Sequence, residues 1–127
     1  MKYLGKHYLL ELYDCPADLL SDPKFIGEKM NEAAQKMQAS IVESTFHHFN
    51  PLGVSGVIII KESHLTIHTW PEYGYAAIDI FTCGKIYMEE GIEYLRKQLK
   101  AKRAEVKKMG RGAAEKFTQP VKAVHNL

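Results

Sequence analysis

The chain has 127 residues, of which 46% are hydrophobic, 25% charged and 10% aromatic, and its mean hydropathy is -0.26. This balance predicts one small soluble globular domain over residues 1–127; about two thirds of the unfolded surface can be buried at this size, enough for a core but not for a deep pocket walled by a single chain. The net charge of +2 conceals a split, because residues 1–95 carry 7 basic and 13 acidic side chains whereas residues 96–111 carry 8 and 1.

Residues 3–13 alternate and predict a strand, with Tyr8, Leu10 and Leu12 on one face and His7, Leu9, Glu11 and Tyr13 on the other. Asp22 followed by Pro23 is a helix start, since the carboxylate can cap free amides and proline costs nothing at the first helical position. Phe25, Ile26, Met30, Ala33, Ala34 and Met37 then recur at helical spacing, which predicts an amphipathic helix over 23–38.

Residues 40–48 predict a strand with Ile41, Glu43, Thr45 and His47 facing opposite to Val42, Ser44, Phe46 and His48. Asn50-Pro51-Leu52-Gly53 breaks it. Further strands are expected over 56–61 and 65–70, joined tightly through Glu62-Ser63-His64, and over 75–82 after the turn Pro71-Glu72-Tyr73-Gly74. Ile92, Leu95 and Leu99 predict a second helix over 89–104, which would make most of the basic run a solvated helix face, and Gly110, Gly112 and Pro120 leave a tail expected to be flexible over 106–127.

The order β-α-β-β-β-β-α with short connections predicts an α+β fold, an antiparallel sheet with helices on one face. A second copy of the chain is the natural cover for the other face, so an active site is expected to lie between subunits. The longest apolar run, Val57–Ile60, falls far short of the ~18 residues of a membrane span, and Met1–Gly5 has no secretory pattern, so a cytoplasmic protein with no membrane partner is expected. Cys15 and Cys83 lack CxxC spacing, which argues against a disulfide framework or a cysteine-rich zinc site. No nucleic-acid partner is expected, because residues 96–111 interleave no aromatic side chains for base stacking.

Reactive side chains crowd residues 47–83, where His64, Thr66, His68 and Trp70 share one strand face. His64 and His68 with His47 or His48 make a conceivable metal set without a fixed-spacing signature, and no metal is expected. Ser63 or Cys83 with His68 as base makes a conceivable hydrolase, but no nucleophile elbow surrounds either residue.

The segment read whole is more specific. Phe49 through Val57, then Glu62-Ser63-His64-Leu65-Thr66-Ile67-His68-Thr69-Trp70-Pro71-Glu72, then Asp79-Ile80-Phe81-Thr82-Cys83-Gly84, closely resembles the bacterial and archaeal S-adenosylmethionine decarboxylases, pyruvoyl enzymes of polyamine synthesis. The strongest match covers 46–84, and a weaker one at 5–15 extends it.

The resemblance implies that the Ser63 hydroxyl attacks the Glu62 carbonyl to form an ester, after which loss of the Ser63 α-proton, elimination and hydrolysis leave a pyruvoyl group, the expected covalent cofactor, at the head of fragment 63–127 and release fragment 1–62. His68, five residues on and expected across the tight turn, is implied as the base for that proton, and Ser55 as the donor that stabilises the rearrangement. The pyruvoyl ketone would form a Schiff base with the substrate amine, and Cys83 would return a proton to carbon. Phe49 and Trp70 are implied to stack on adenine or attract the sulfonium, and Glu72 to hold the ribose hydroxyls.

The implied activity is decarboxylation of S-adenosylmethionine, giving the aminopropyl donor for spermidine. The implied assembly is a homodimer of cleaved protomers whose sheets pack face to face in an α/β/β/α sandwich. Two rivals stand beside it: a same-fold arginine or ornithine decarboxylase, and a non-catalytic basic module that binds nucleic acid through 96–111. Trp70 and Glu72 favour the nucleoside over a plain amino acid.

Overall fold

The computed structural model describes residues 2–49 and 51–118. The sheet has six strands: β1 (Tyr3–Tyr13), β2 (Ser40–His48), β3 (Val54–Lys61), β4 (Ser63–Trp70), β5 (Tyr75–Thr82) and β6 (Arg103–Ala113). They pair antiparallel in the order β2-β3-β4-β5-β1-β6. Helices α1 (Ala17–Leu20), α2 (Pro23–Lys36) and α3 (Met88–Gln98) complete the fold, together with short 3-10 turns at Pro71–Tyr73 and Ala114–Lys116.

The apolar residues of one strand parity form the core. Leu10 and Leu12 of β1, Ile58 and Ile60 of β3, Leu65 and Ile67 of β4 and Ile78 and Ile80 of β5 are buried in one cluster with Ile26, Met30 and Ala33 of α2 and Leu95 of α3. α2 begins where expected: Asp22 Oδ1 accepts the amides of Lys24 at 3.0 Å and Phe25 at 3.1 Å, with Pro23 as the first helical residue. The α+β architecture, an antiparallel sheet with helices on one face, is therefore as predicted.

The other parity, which includes Ser55, Val57, Ile59, His64, Thr66, His68, Trp70 and Phe81, forms the second face. Among the described residues no helix packs on it, and Ile59, Trp70 and Met109 are 44%, 41% and 51% exposed. Also among the described residues, no helix is long and apolar enough to cross a membrane.

Several expectations are corrected. The helix predicted to reach 104 stops at Gln98, and residues 103–113 are strand β6, paired with β1 from Tyr13↔Arg103 to Tyr3↔Ala113. β6 was illegible because it is an edge strand of mostly exposed residues, five of its eleven charged, so no apolar alternation marks it; the partner that orders it lies 90 to 110 residues away. The basic run is thus split between the end of α3 and an edge strand, and the tail expected from 106 is ordered sheet through Ala113; residues 119–127, including Pro120, lie outside the described residues.

β3 and β4 begin two residues earlier than expected, at Val54 and Ser63, so only Glu62 lies between the two strands, with Ile60 opposite Ser63. A bulge between Ile41 and Glu43 sets Ile41 opposite buried Ile60 and Glu43 opposite exposed Ile59, which places these two residues on different faces rather than on one. The one-turn helix α1 was not foreseen, since four residues show no periodicity.

Candidate active site

The hairpin between β3 and β4 presents Ser63 at the first position of β4. Its φ of 152° lies in a region that side-chain-bearing residues avoid, so this hydroxyl is held in a strained backbone next to the Glu62 carbonyl. The end of β5 closes on it: the Cys83 amide donates to Ser63 Oγ at 3.0 Å and to the Glu62 carbonyl oxygen at 3.3 Å, and Ser63 Oγ stands 3.9 Å from Cys83 Sγ. A single N–H therefore faces both the nucleophile and the carbonyl that the resemblance pairs. The cavity here, about 530 Å³, is walled by Val57, Ile59, His64, Thr66 and Phe81. Phe81 lies across β1 because Gly5 is beneath it, where a Cβ would come within 2.7 Å of the ring.

A second cluster forms at the opposite end of the same strands. Ser55 faces His68 in the β3–β4 register, with Ser55 Oγ 2.8 Å from His68 Nδ1. The β2–β3 turn and the β4–β5 connection bring Phe49, Trp70 and Glu72 to the same pocket, about 250 Å³ in volume. The Phe49 amide donates to the Gly53 carbonyl at 2.8 Å; Gly53 turns at φ 98°, and Asn50 within this turn lies outside the described residues. Thr69, nearly buried, ties the turn down by accepting the Val54 amide and donating to the Leu20 carbonyl, both at 2.8 Å.

Trp70 is oriented by stacking on Tyr75 at 5.2 Å, and Tyr75 on Tyr13 at 5.5 Å. Burial, with the Glu11 carboxylate accepting its hydroxyl at 2.5 Å, holds the Tyr75 phenol well above its usual range.

The predicted residues thus fall into two groups, Glu62, Ser63 and Cys83 at one end and Phe49, Ser55, His68, Trp70 and Glu72 at the other. His68 is not across the tight turn from Ser63 as expected. Five positions of one extended strand separate them, about 16 Å at the usual rise, because the strand begins at Ser63 itself and leaves no turn between them. His64 lines the first cavity and tilts against Phe81, while His47 borders a pocket beside Ser55 and His68. Among the described residues no three His, Cys, Asp or Glu side chains converge as a metal site requires.

A family model described as S-adenosylmethionine decarboxylase matches residues 6–112. The chain belongs to the S-adenosylmethionine decarboxylase family. The S-adenosylmethionine decarboxylase proenzyme of Thermotoga maritima is 50% identical over 126 residues, covering 98% of this chain and 97% of that protein. The proenzyme of Acidithiobacillus ferrooxidans is 46% identical over 121 residues, 94% of this chain and 91% of its own length. The crystal structure of the adenosylmethionine decarboxylase of Aquifex aeolicus superposes with a TM-score of 0.82 at 33% identity, covering 94% of this chain and all of that one.

Sequence reasoning placed no weight on two features of this decarboxylase-family site. One is the main-chain N–H of Cys83, and the other is Thr82, buried at 2% exposure, whose hydroxyl accepts the Gly84 amide at 3.0 Å. A backbone donor has no sequence signal. Thr82 stands in the Asp79–Gly84 motif, but nothing in the motif assigns its hydroxyl a role.

Proposed function

We propose that the chain is a self-processing, cytoplasmic S-adenosylmethionine decarboxylase that cleaves between Glu62 and Ser63 and works as a homodimer with its sheets face to face. The observation that carries this reading is the Cys83 amide, 3.0 Å from Ser63 Oγ and 3.3 Å from the Glu62 carbonyl oxygen. An N–H in that position orients the hydroxyl in the ground state and stabilises the oxyanion that forms on Glu62 as Oγ attacks. The C–N bond then breaks and leaves an ester between Glu62 and Ser63 Oγ. Removal of the Ser63 α-proton expels the Glu62 carboxylate, and hydrolysis of the dehydroalanine with loss of ammonia leaves a pyruvoyl group on residue 63.

The ketone so formed supplies an electron-withdrawing carbonyl beside the substrate amine, able to accept the electron pair that decarboxylation releases. The residues around Ser63 suit it: Val57, Ile59 and Phe81 give the cavity apolar walls, and the exposed Cys83 thiol is within reach to return a proton to carbon.

The Ser55–His68 pair belongs to the same reaction but to the other protomer. A base about 16 Å away along a strand cannot take the Ser63 α-proton. Two copies related by a two-fold axis, with their open faces in contact and strands opposed, bring the Ser55–His68 end of each to the Ser63–Cys83 end of its partner. The same arrangement delivers Phe49, Trp70 and Glu72 to the substrate, whose adenine stacks on the aromatic rings and whose ribose hydroxyls meet the carboxylate. In one protomer Trp70 is seven strand positions from Ser63, about 23 Å, farther than one substrate molecule extends.

Intact mass tests both parts. The wild-type chain is expected as fragments 1–62 and 63–127, the second shifted by a carbonyl-trapping reagent, with Ser63→Ala and His68→Ala remaining full length. Mixing the two variants after dissociation restores cleavage of the His68→Ala chain alone, because its Ser63 meets the intact His68 of its partner. Fragments from Ser63→Ala alone overturn the chemistry; no cleavage in the mixture, with exchange of protomers demonstrated, overturns the shared site.

A further inference from the structure

We infer that Thr82 is a positioning residue for self-cleavage, acting through the main-chain amide of Cys83; the inference deepens the self-processing reading above and rests on it. Thr82 is the last residue of β5, its backbone fixed between Ser63 of β4 and Lys6 of β1. Among the described residues it is one of two buried polar residues, at 2% exposure. The hydroxyl is committed locally: Oγ1 accepts the Gly84 amide at 3.0 Å, and its proton is directed to the Gly84 carbonyl at 3.5 Å.

These bonds fold residues 82–84 into a turn with Cys83 at its centre. The turn aims the Cys83 N–H at Ser63 Oγ and the Glu62 oxygen, 3.0 and 3.3 Å away. Thr69 offers a parallel at the other end of the sheet, where a second enclosed hydroxyl holds the Val54 amide at 2.8 Å and anchors the turn of the Ser55–His68 cluster. A hydroxyl without a polar partner costs stability in an apolar core, so its value at Thr82 lies in the backbone it holds.

The test compares Thr82→Val, which keeps the branched shape and removes the hydroxyl, with Thr82→Ser, which keeps the hydroxyl. Gly84→Ala is the control: the amide is retained, and the added Cβ meets nothing nearer than Thr82 Oγ1 at 3.9 Å. Each full-length chain is made by a cell-free synthesis pulse and its conversion to fragments followed by intact mass, with melting temperatures measured alongside.

Displacing a preorganised donor slows such a step by about ten- to a hundredfold. Thr82→Val is expected to cleave that much more slowly, Thr82→Ser and Gly84→Ala within about threefold of wild type, and the matured fraction of Thr82→Val to keep its KM for S-adenosylmethionine. Cleavage of Thr82→Val at the wild-type rate, or of a folded Thr82→Ser as slowly as the hydroxyl-free chain is expected to cleave, overturns the inference. The Ser variant decides even where the Val chain does not fold. A wild-type chain that never cleaves instead overturns the self-processing reading itself.

Discussion

At the scale of single residues, the two cysteines show how position sets chemistry. Burial, with the Asp14 carboxylate adding to it, pushes the Cys15 thiol from about 9 up to about 11, whereas Cys83 is exposed at the end of β5. At pH 8 roughly a thousandth of Cys15 is thiolate, the form that reacts with alkylating agents. Native protein is therefore expected to take up one equivalent of iodoacetamide, mapped to Cys83 by peptide mass, and a second only on unfolding. Because the folded value lies above the unfolded one, Cys15 favours the native state below pH 9, and that contribution is lost as pH rises from 9 towards 11. Rapid modification of Cys15 in the native protein contradicts this placement.

Glu72 is the clearest proposed binding residue to test at the same scale. It lies in the pocket with Phe49 and Trp70, seven strand positions and a turn away from the proposed cleavage bond. Glu72→Gln is expected to weaken S-adenosylmethionine binding by one to two decades, the value of about 1.5–3 kcal/mol for a charge-assisted contact, while cleavage proceeds normally. Measured by calorimetry on the matured protein, an unchanged Kd removes Glu72 from the ribose.

Among the elements, α2 and β6 are opposite cases. α2 carries its own start signal in Asp22-Pro23 and its own apolar stripe, and both were legible because they are local. Asp22→Ala removes the acceptor for two amides and is expected to cost about 1 kcal/mol, seen as a melting temperature about 4 °C lower with activity at 25 °C retained. No change in melting temperature shows that water replaces the cap.

β6 carries no such signal. Its basic side chains are distributed among partners remote in sequence: Arg103 donates to Asp14 at 2.9 Å, Lys108 pairs with Glu89 at 3.8 Å, and Arg111 donates to His7 at 3.2 Å. A run that reads as one charged surface in sequence is, in the fold, divided between the end of α3 and the sheet's edge.

At the scale of the whole molecule, the uncovered sheet face is the organising fact. Ile59, on β3 next to edge strand β2 and 44% exposed, is expected to be buried in the face-to-face dimer. Ile59→Glu would place two unpaired carboxylates near the two-fold axis, and burying a charge without a partner costs more than the apolar contact it replaces. By light scattering the variant is expected to be a monomer where the wild-type chain is a dimer. It should also stay uncleaved, because the partner's catalytic pair is absent; a monomeric chain that cleaves at the normal rate refutes the shared site.

The sequence by itself determined whatever depends on neighbours a few residues apart. The sheet-and-helix class followed from alternation and helical spacing, the start of α2 from its cap, and the candidate residues from the order of motifs between Phe49 and Gly84. Only the tertiary structure decided which of them meet. Ser63 and His68, five apart in sequence, are separated by the length of an extended strand, while Ser63 and Cys83, twenty apart, touch because β4 and β5 run antiparallel. The pairing of β6 with β1, the bulge in β2 and the Cys83 amide between Ser63 Oγ and the Glu62 carbonyl were likewise decided there. The physical reason is common to all: strand register and backbone hydrogen bonds join groups remote along the chain, and the main chain that makes them is the same for every residue type.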